Sequence, residues 1–234
     1  MTGTTGPSPL WYASRGLGLT LLIVLSLTLV LGILTSRRAG GDGWPRFVVA
    51  GLHRNLALLA LVLVPLHALG AILDSFAGLG LRDMLLPFAS AYRPLWLGLG
   101  VLGGELMVAV TLTSLVRGWL GPALWRLTHW AVYAAWPLTI LHGLGTGSDT
   151  RFGWALAIYA ACVVAVGLAV LVRLLSLPRE RRSLQLAGTT LLVAGLLATA
   201  VFTLLGPAQP GWARAAGTPP ALLGHGPTSG SSGG

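Results

Sequence analysis

The sequence predicts an all-α, polytopic membrane protein, a six transmembrane helix bundle with both termini outside. Three observations carry this expectation. The 234 residues are 54% hydrophobic and only 9% charged, with a mean hydropathy of +0.79, far from the composition of soluble domains. The apolar residues gather into six runs near the ~20 residues that cross a hydrocarbon core. All fifteen basic residues are arginine, and they fall mostly between those runs. The net charge of +9 therefore reads as membrane topology, with lipid as the partner and no nucleic acid.

Three segments are expected: an N-terminal tail over 1–14, a transmembrane domain over 15–205 and a disordered C-terminal tail over 206–234. Residues 1–9 are small and polar, and Trp11 and Tyr12 then read as an interfacial anchor. The first run, Leu17–Leu34, ends in Ser36-Arg37-Arg38, a stop-transfer pattern, so it reads as a retained helix and not a cleaved signal. Further spans follow at Val48–Leu73, Leu95–Val116, Leu124–Leu144, Trp154–Leu175 and Leu184–Leu205. Trp44, Trp96, Trp119, Trp125 and Trp154 cluster near span ends, as an interfacial belt should. The single Cys162 excludes an intrachain disulfide and reads as packing. After Leu205 the chain is rich in Gly, Pro, Ser and Thr, the composition of disorder. His225 lies in that tail and is given no role.

Orientation follows from the arginines. The connections after spans one, three and five hold Arg37, Arg38, Arg46, Arg54, Arg117, Arg126, Arg173, Arg179, Arg181 and Arg182. The remaining connections and tails hold Arg15, Arg82, Arg93, Arg151 and Arg214. Ten against five puts the first set in the cytoplasm by the positive-inside rule, so spans two and four both run outward.

Four of the five histidines lie on those two spans: His53 and His67 on the second, His129 and His142 on the fourth. An ionisable residue in a membrane span is costly and marks a functional site. The separations, fourteen and thirteen residues, correspond to ~21 and ~19.5 Å along a helix. Two cross-helix pairs at matched depths follow, His53 with His129 and His67 with His142. Neutral imidazole is a good iron ligand, and a b-type haem takes one on each side of its iron. Two such haems stacked across the core would carry electrons through the bilayer. Fourteen residues return a helix to within ~40° of its starting face, but thirteen leave His142 ~140° away from His129. Pro65 and Pro137 are the expected devices that re-aim the outer ligands.

Two alternatives come from other classes. One is a transition-metal transporter or sensor that uses the same histidines; the other is an accessory membrane subunit with structural histidines. Metal transport usually draws on carboxylates as well, and Glu105 is the one acidic residue well inside a span.

The pattern HRN…PLHAL followed by W-R-x-x-H-W…LHGLG resembles the ferric-reductase-like transmembrane domain family. That family includes NADPH oxidases, ferric reductases and the haem subunit of the bacterial methionine-sulfoxide reductase system. The resemblance covers about residues 10–205 and implies two haem b groups. Their axial ligands to iron would be the pairs His53/His129 and His67/His142, with electrons flowing outward. It also implies a haem-carrying oxidoreductase component in a bacterial plasma membrane. The acceptor would be ferric iron, oxygen or an exported redox protein. NADPH oxidases and eukaryotic ferric reductases carry a cytosolic flavin and nicotinamide domain that this sequence lacks. A separate cytoplasmic flavin reductase, or a membrane quinol, is the expected donor. The glycine-rich stretches 16–19, 97–100 and 143–147 lie in apolar runs without the features of a nucleotide loop.

Arg126, one turn before His129, and Arg54, beside His53, are candidates to pair with haem propionates, or are ordinary cytoplasmic arginines. Glu105 would serve proton movement, bind a quinone or a flavin such as FMN, or hydrogen-bond a nearby Ser or Thr. Tyr133 and Trp136 lie on the His129 face between the two depths, as porphyrin packing or an aromatic bridge.

Overall fold

A computed structural model describes residues 8–36, 45–147 and 149–223. Among them every regular element is helical. The helices are α1 (Pro9–Ser36), α2 (Arg46–Leu73), α3 (Leu81–Leu85), α4 (Pro94–Leu115), α5 (Arg117–Trp130), α6 (Val132–Thr146), α7 (Gly153–Leu175), α8 (Arg182–Leu205), α9 (Trp212–Ala215) and α10 (Pro220–Leu223). Five of these, α1, α2, α4, α7 and α8, are long and apolar enough to cross a membrane. Their outward faces carry Leu, Val and Ile, the surface that lipid rather than water would cover.

α1 is the centre of the bundle. It packs most extensively on α2, then on α7 and α6, while α4 lies along α6. Its Leu21, Leu22, Leu25, Leu29 and Ile33 form the core with Ala60, Met107, Ala135 and Ile140. α8 is peripheral, touching α7 and burying no residue.

The fourth expected span, Leu124–Leu144, is two helices. α5 and α6 meet at Ala131, whose φ of −59° and ψ of −19° keep it right-handed. Its N–H bonds three residues back to Thr128 (3.0 Å), and its carbonyl accepts the N–H of Ala134 three residues on (3.0 Å). This tightened turn gains about 20° per residue over an α-helix. α6 runs on through Pro137, so the interruption lies at Ala131 and not at the proline.

Both expected tails need correction. α1 begins at Pro9, and Trp11 and Ser14 are buried, so 9–14 belongs to the bundle. Residues 206–223, part of the segment whose composition predicts disorder, fold back over the bundle end. Trp212 packs against Trp96 (5.4 Å between ring centroids) and donates to the Gly145 carbonyl (3.1 Å). Buried Arg93 donates through Nε to Thr218 Oγ1 (2.9 Å) and through its backbone N–H to the Gly217 carbonyl (3.0 Å). Burial pushes the Arg93 guanidinium below its ordinary pKa, against the opposing effect of Tyr92. The remainder of the tail, with His225, lies outside the described residues, as do Arg37 and Arg38.

Candidate cofactor site, two tiers of paired histidines

Helix α2 places His53 and His67 on its α1-facing side, and α1 supplies each with a partner. His67 Nδ1 lies 2.7 Å from the Ser14 carbonyl oxygen, and His53 Nδ1 lies 2.8 Å from that of Thr28. Helix α4 does the same for His142, whose Nδ1 is 3.0 Å from the Trp96 carbonyl oxygen. A carbonyl only accepts, so Nδ1 carries a proton in these three rings, and in the neutral ring Nε2 is then the nitrogen with the lone pair.

Four residues beyond each carbonyl stands a glycine that lets the ring lie close to the helix. A Cβ on Gly18 would stand 3.0 Å from His67 Cε1, and one on Gly32 the same distance from His53 Cε1. On Gly100 it would overlap the His142 ring. Ser14 and Thr28, like Gly18 and Gly32, are fourteen residues apart, the separation of His53 and His67. The antiparallel pair α1 and α2 is thus in register at two depths about 21 Å apart. The sequence reading missed this support because its acceptors are backbone atoms; the repeated interval of the two glycines was the available signal.

His129 is held differently. Its Nδ1 faces Ser114 Oγ at 3.3 Å, and Ser114 gives its own proton to the Val110 carbonyl at 2.7 Å. The hydroxyl proton is spent, so Oγ meets His129 as an acceptor. Trp125 donates its indole N–H to the same oxygen (3.3 Å) and stacks on the His129 ring (5.2 Å, 30°).

The fold brings the histidines together in the expected pairs. His53 and His129 have ring centroids 6.2 Å apart, and His67 and His142 6.3 Å apart. With Nδ1 of each ring committed, Nε2 is the nitrogen left for the space between. An imidazole–imidazole hydrogen bond of about 2.9 Å would draw the centroids to about 5.2 Å. Two imidazoles on opposite sides of one metal, with bonds of about 2.0 Å and ring radii of about 1.15 Å, hold them about 6.3 Å apart. The observed separations are longer than a direct hydrogen bond would give and are compatible with an atom held between the rings.

Around the His67 pair lies an open-mouthed cavity lined by Gly18, Leu22, Val64, Gly100 and Gly104 among others. Trp11, Tyr92 and the Arg15–Asp149 ion pair (2.5 Å) stand along its wall toward the bundle end. No group of three or more His, Cys, Asp or Glu that could hold a bare ion occurs among the described residues. Each tier offers two imidazoles and no further side-chain ligand of that kind.

Arg54 and Arg126 are exposed at the His53/His129 end and make no hydrogen bond or ion pair among the described residues. Glu105 joins neither tier: it is on the exposed face of α4, without the expected Ser or Thr partner among the described residues. Trp136 is buried between the tiers in sequence, its indole N–H donated to Ser26 Oγ (3.0 Å), while Tyr133 is 46% exposed. Fold and site define a helical bundle of membrane type with two tiers of paired imidazoles. Comparison with family models, with curated proteins and with solved structures finds no match to this chain.

Proposed function

We propose that the protein is a membrane cytochrome b that passes electrons outward through two bis-histidine haem b groups. The observation that carries this is the arrangement of the paired rings: in each tier, both imidazoles have Nδ1 committed to an acceptor and hold centroids far enough apart for a metal between them. Two neutral rings so placed suit a metal that accepts a lone pair from each Nε2. A bare transition ion would find only two side-chain ligands there, whereas haem iron brings four ligands of its own and takes two axial imidazoles. The transporter and sensor alternative is therefore the weaker one.

When bound, haem supplies a one-electron carrier at each depth. The protein's own residues do the rest. Ser14, Thr28 and Trp96 carbonyls fix the tautomer and aim of three rings, a role that outer-shell acceptors commonly play for metal-bound histidines. Gly18, Gly32 and Gly100 make room for the rings, and Leu and Val side chains exclude water. Arg54 and Arg126 would pair with propionates of the His53/His129 haem.

The α5–α6 unit is counted as one broken span, giving six crossings with both termini outside. The described Arg46, Arg54, Arg117, Arg126, Arg173, Arg179, Arg181 and Arg182 belong to the His53/His129 end, which makes that end cytoplasmic in a bacterial plasma membrane. A cytoplasmic flavin reductase or membrane quinol would donate there. Ferric iron, oxygen or an exported redox protein would accept at the other end. FMN remains a candidate ligand beside the haems. The same histidine spacing underlies the resemblance to ferric-reductase-like transmembrane domains.

The test is electron transfer across a sealed bilayer. In lipid vesicles holding trapped ferricyanide, dithionite added outside should bleach the ferricyanide only when the protein is present. His142→Ala should abolish the bleaching. Equal rates with and without protein would refute the function.

A further inference from the structure

Three of the four histidines meet one local arrangement, a backbone carbonyl at one position and a glycine four residues on. These are Ser14 and Gly18 for His67, Thr28 and Gly32 for His53, and Trp96 and Gly100 for His142. Helix α4 repeats its pair fourteen residues later as Val110 and Ser114, opposite His129. Here serine stands where the other sites have glycine. Its hydroxyl occupies the Val110 carbonyl (2.7 Å) and presents a more distant acceptor, 3.3 Å against 2.7 to 3.0 Å at the other three.

We infer that Ser114 is a positioning residue that makes the two tiers electronically unequal, with the His53/His129 haem the more easily reduced. This rests on the haem function proposed above. A strong acceptor on Nδ1–H gives an axial imidazole more anionic character, which favours ferric iron and lowers the potential. The His67/His142 tier has two carbonyl acceptors. The His53/His129 tier has one carbonyl and one hydroxyl, and that hydroxyl also takes the Trp125 N–H, which further dilutes its accepting power. Arg54, beside His53, and Arg126, one turn from His129, act in the same direction, since positive charge nearby disfavours the ferric state. The donor-end site is then the one that stays reduced at intermediate potentials.

The experiment is a redox titration of the full-length protein followed in its haem spectrum, with haem content read first. A haem-free unaltered protein would count against the proposed function itself, separately from Ser114. The unaltered protein should titrate as two resolved centres. Ser114→Gly removes the closer of the two hydroxyls on the Val110 carbonyl, leaving Thr113 at 3.1 Å with its shorter bond to Ala109, and opens that carbonyl to His129; it should lower the higher midpoint, leaving the other in place. Ser114→Ala removes the acceptor and keeps a Cβ in the way, so it should raise the same midpoint. Opposite shifts at one centre would not come from loosened packing. Two unshifted variants, shifts of one sign, movement of the lower centre, or loss of haem from both variants would each overturn the inference.

Discussion

His53 Nδ1 lies 2.8 Å from the carbonyl oxygen of Thr28, and that single contact decides which ring nitrogen is free. A backbone carbonyl cannot give a proton, so His53 carries one on Nδ1, and Nε2 is the nitrogen left for the space it shares with His129. The same holds for His67 on Ser14 and His142 on Trp96. The proposed haem function and the expectations below build on these contacts and on the closeness of the paired rings.

Pairing is tested by loss. Replacing His67 or His142 with Ala should remove the same haem, taking the content from two per chain to one, and replacing His53 or His129 should remove the other. Spectra of the four single variants should fall into two identical pairs. If His67→Ala and His142→Ala leave different haems behind, the tiers are wrongly assigned.

The glycines beneath the rings should be specific. Gly100→Ala would drive a methyl into the His142 ring, an overpacking that costs about 1–3 kcal/mol. It should empty the His67/His142 site while the other haem remains. Gly51→Ala, whose Cβ would meet nothing within 4 Å, should keep both haems. Equal occupancy in the two variants would show that the close approach of ring to helix is dispensable.

Topology can be read with an impermeant thiol reagent. Cys162 is buried, so Cys162→Ala should supply a silent background. Arg117→Cys should then be labelled only from the cytoplasmic side and Arg82→Cys only from outside. Labelling of Arg82→Cys from the cytoplasm would invert the direction assigned to electron flow.

The C-terminal cap makes a local prediction. Trp212 contacts Trp96 and Phe202 and bonds to Gly145, so Trp212→Ala should loosen 206–223 by ~2 kcal/mol. Amide exchange should rise there and around Arg93 while both haems stay bound. Unchanged exchange across 206–223 would mean that Trp212 does not hold the segment down.

Much of this site was legible because it is carried by side chains with few other reasons to be where they are. Four histidines at matched intervals in apolar runs name their own partners. What was not legible is carried by the backbone. The Ser14, Thr28 and Trp96 carbonyls have no residue signature, and Gly18, Gly32 and Gly100 look like the ordinary glycines of membrane helices. From sequence, Pro137 is the visible breaker that would re-aim His142. The observed interruption lies at Ala131, a residue with no breaker character, where three-residue hydrogen bonds tighten the turn. In the tail, Gly and Pro content concealed one tryptophan with enough apolar surface to fold its neighbours back.

Haem content with the optical spectrum is the most direct test of the account. Purified protein should contain two haem b per chain and give, on dithionite reduction, the sharp bands of low-spin iron with two imidazole ligands. Haem-free protein that binds zinc or copper at His53, His67, His129 and His142 would contradict it.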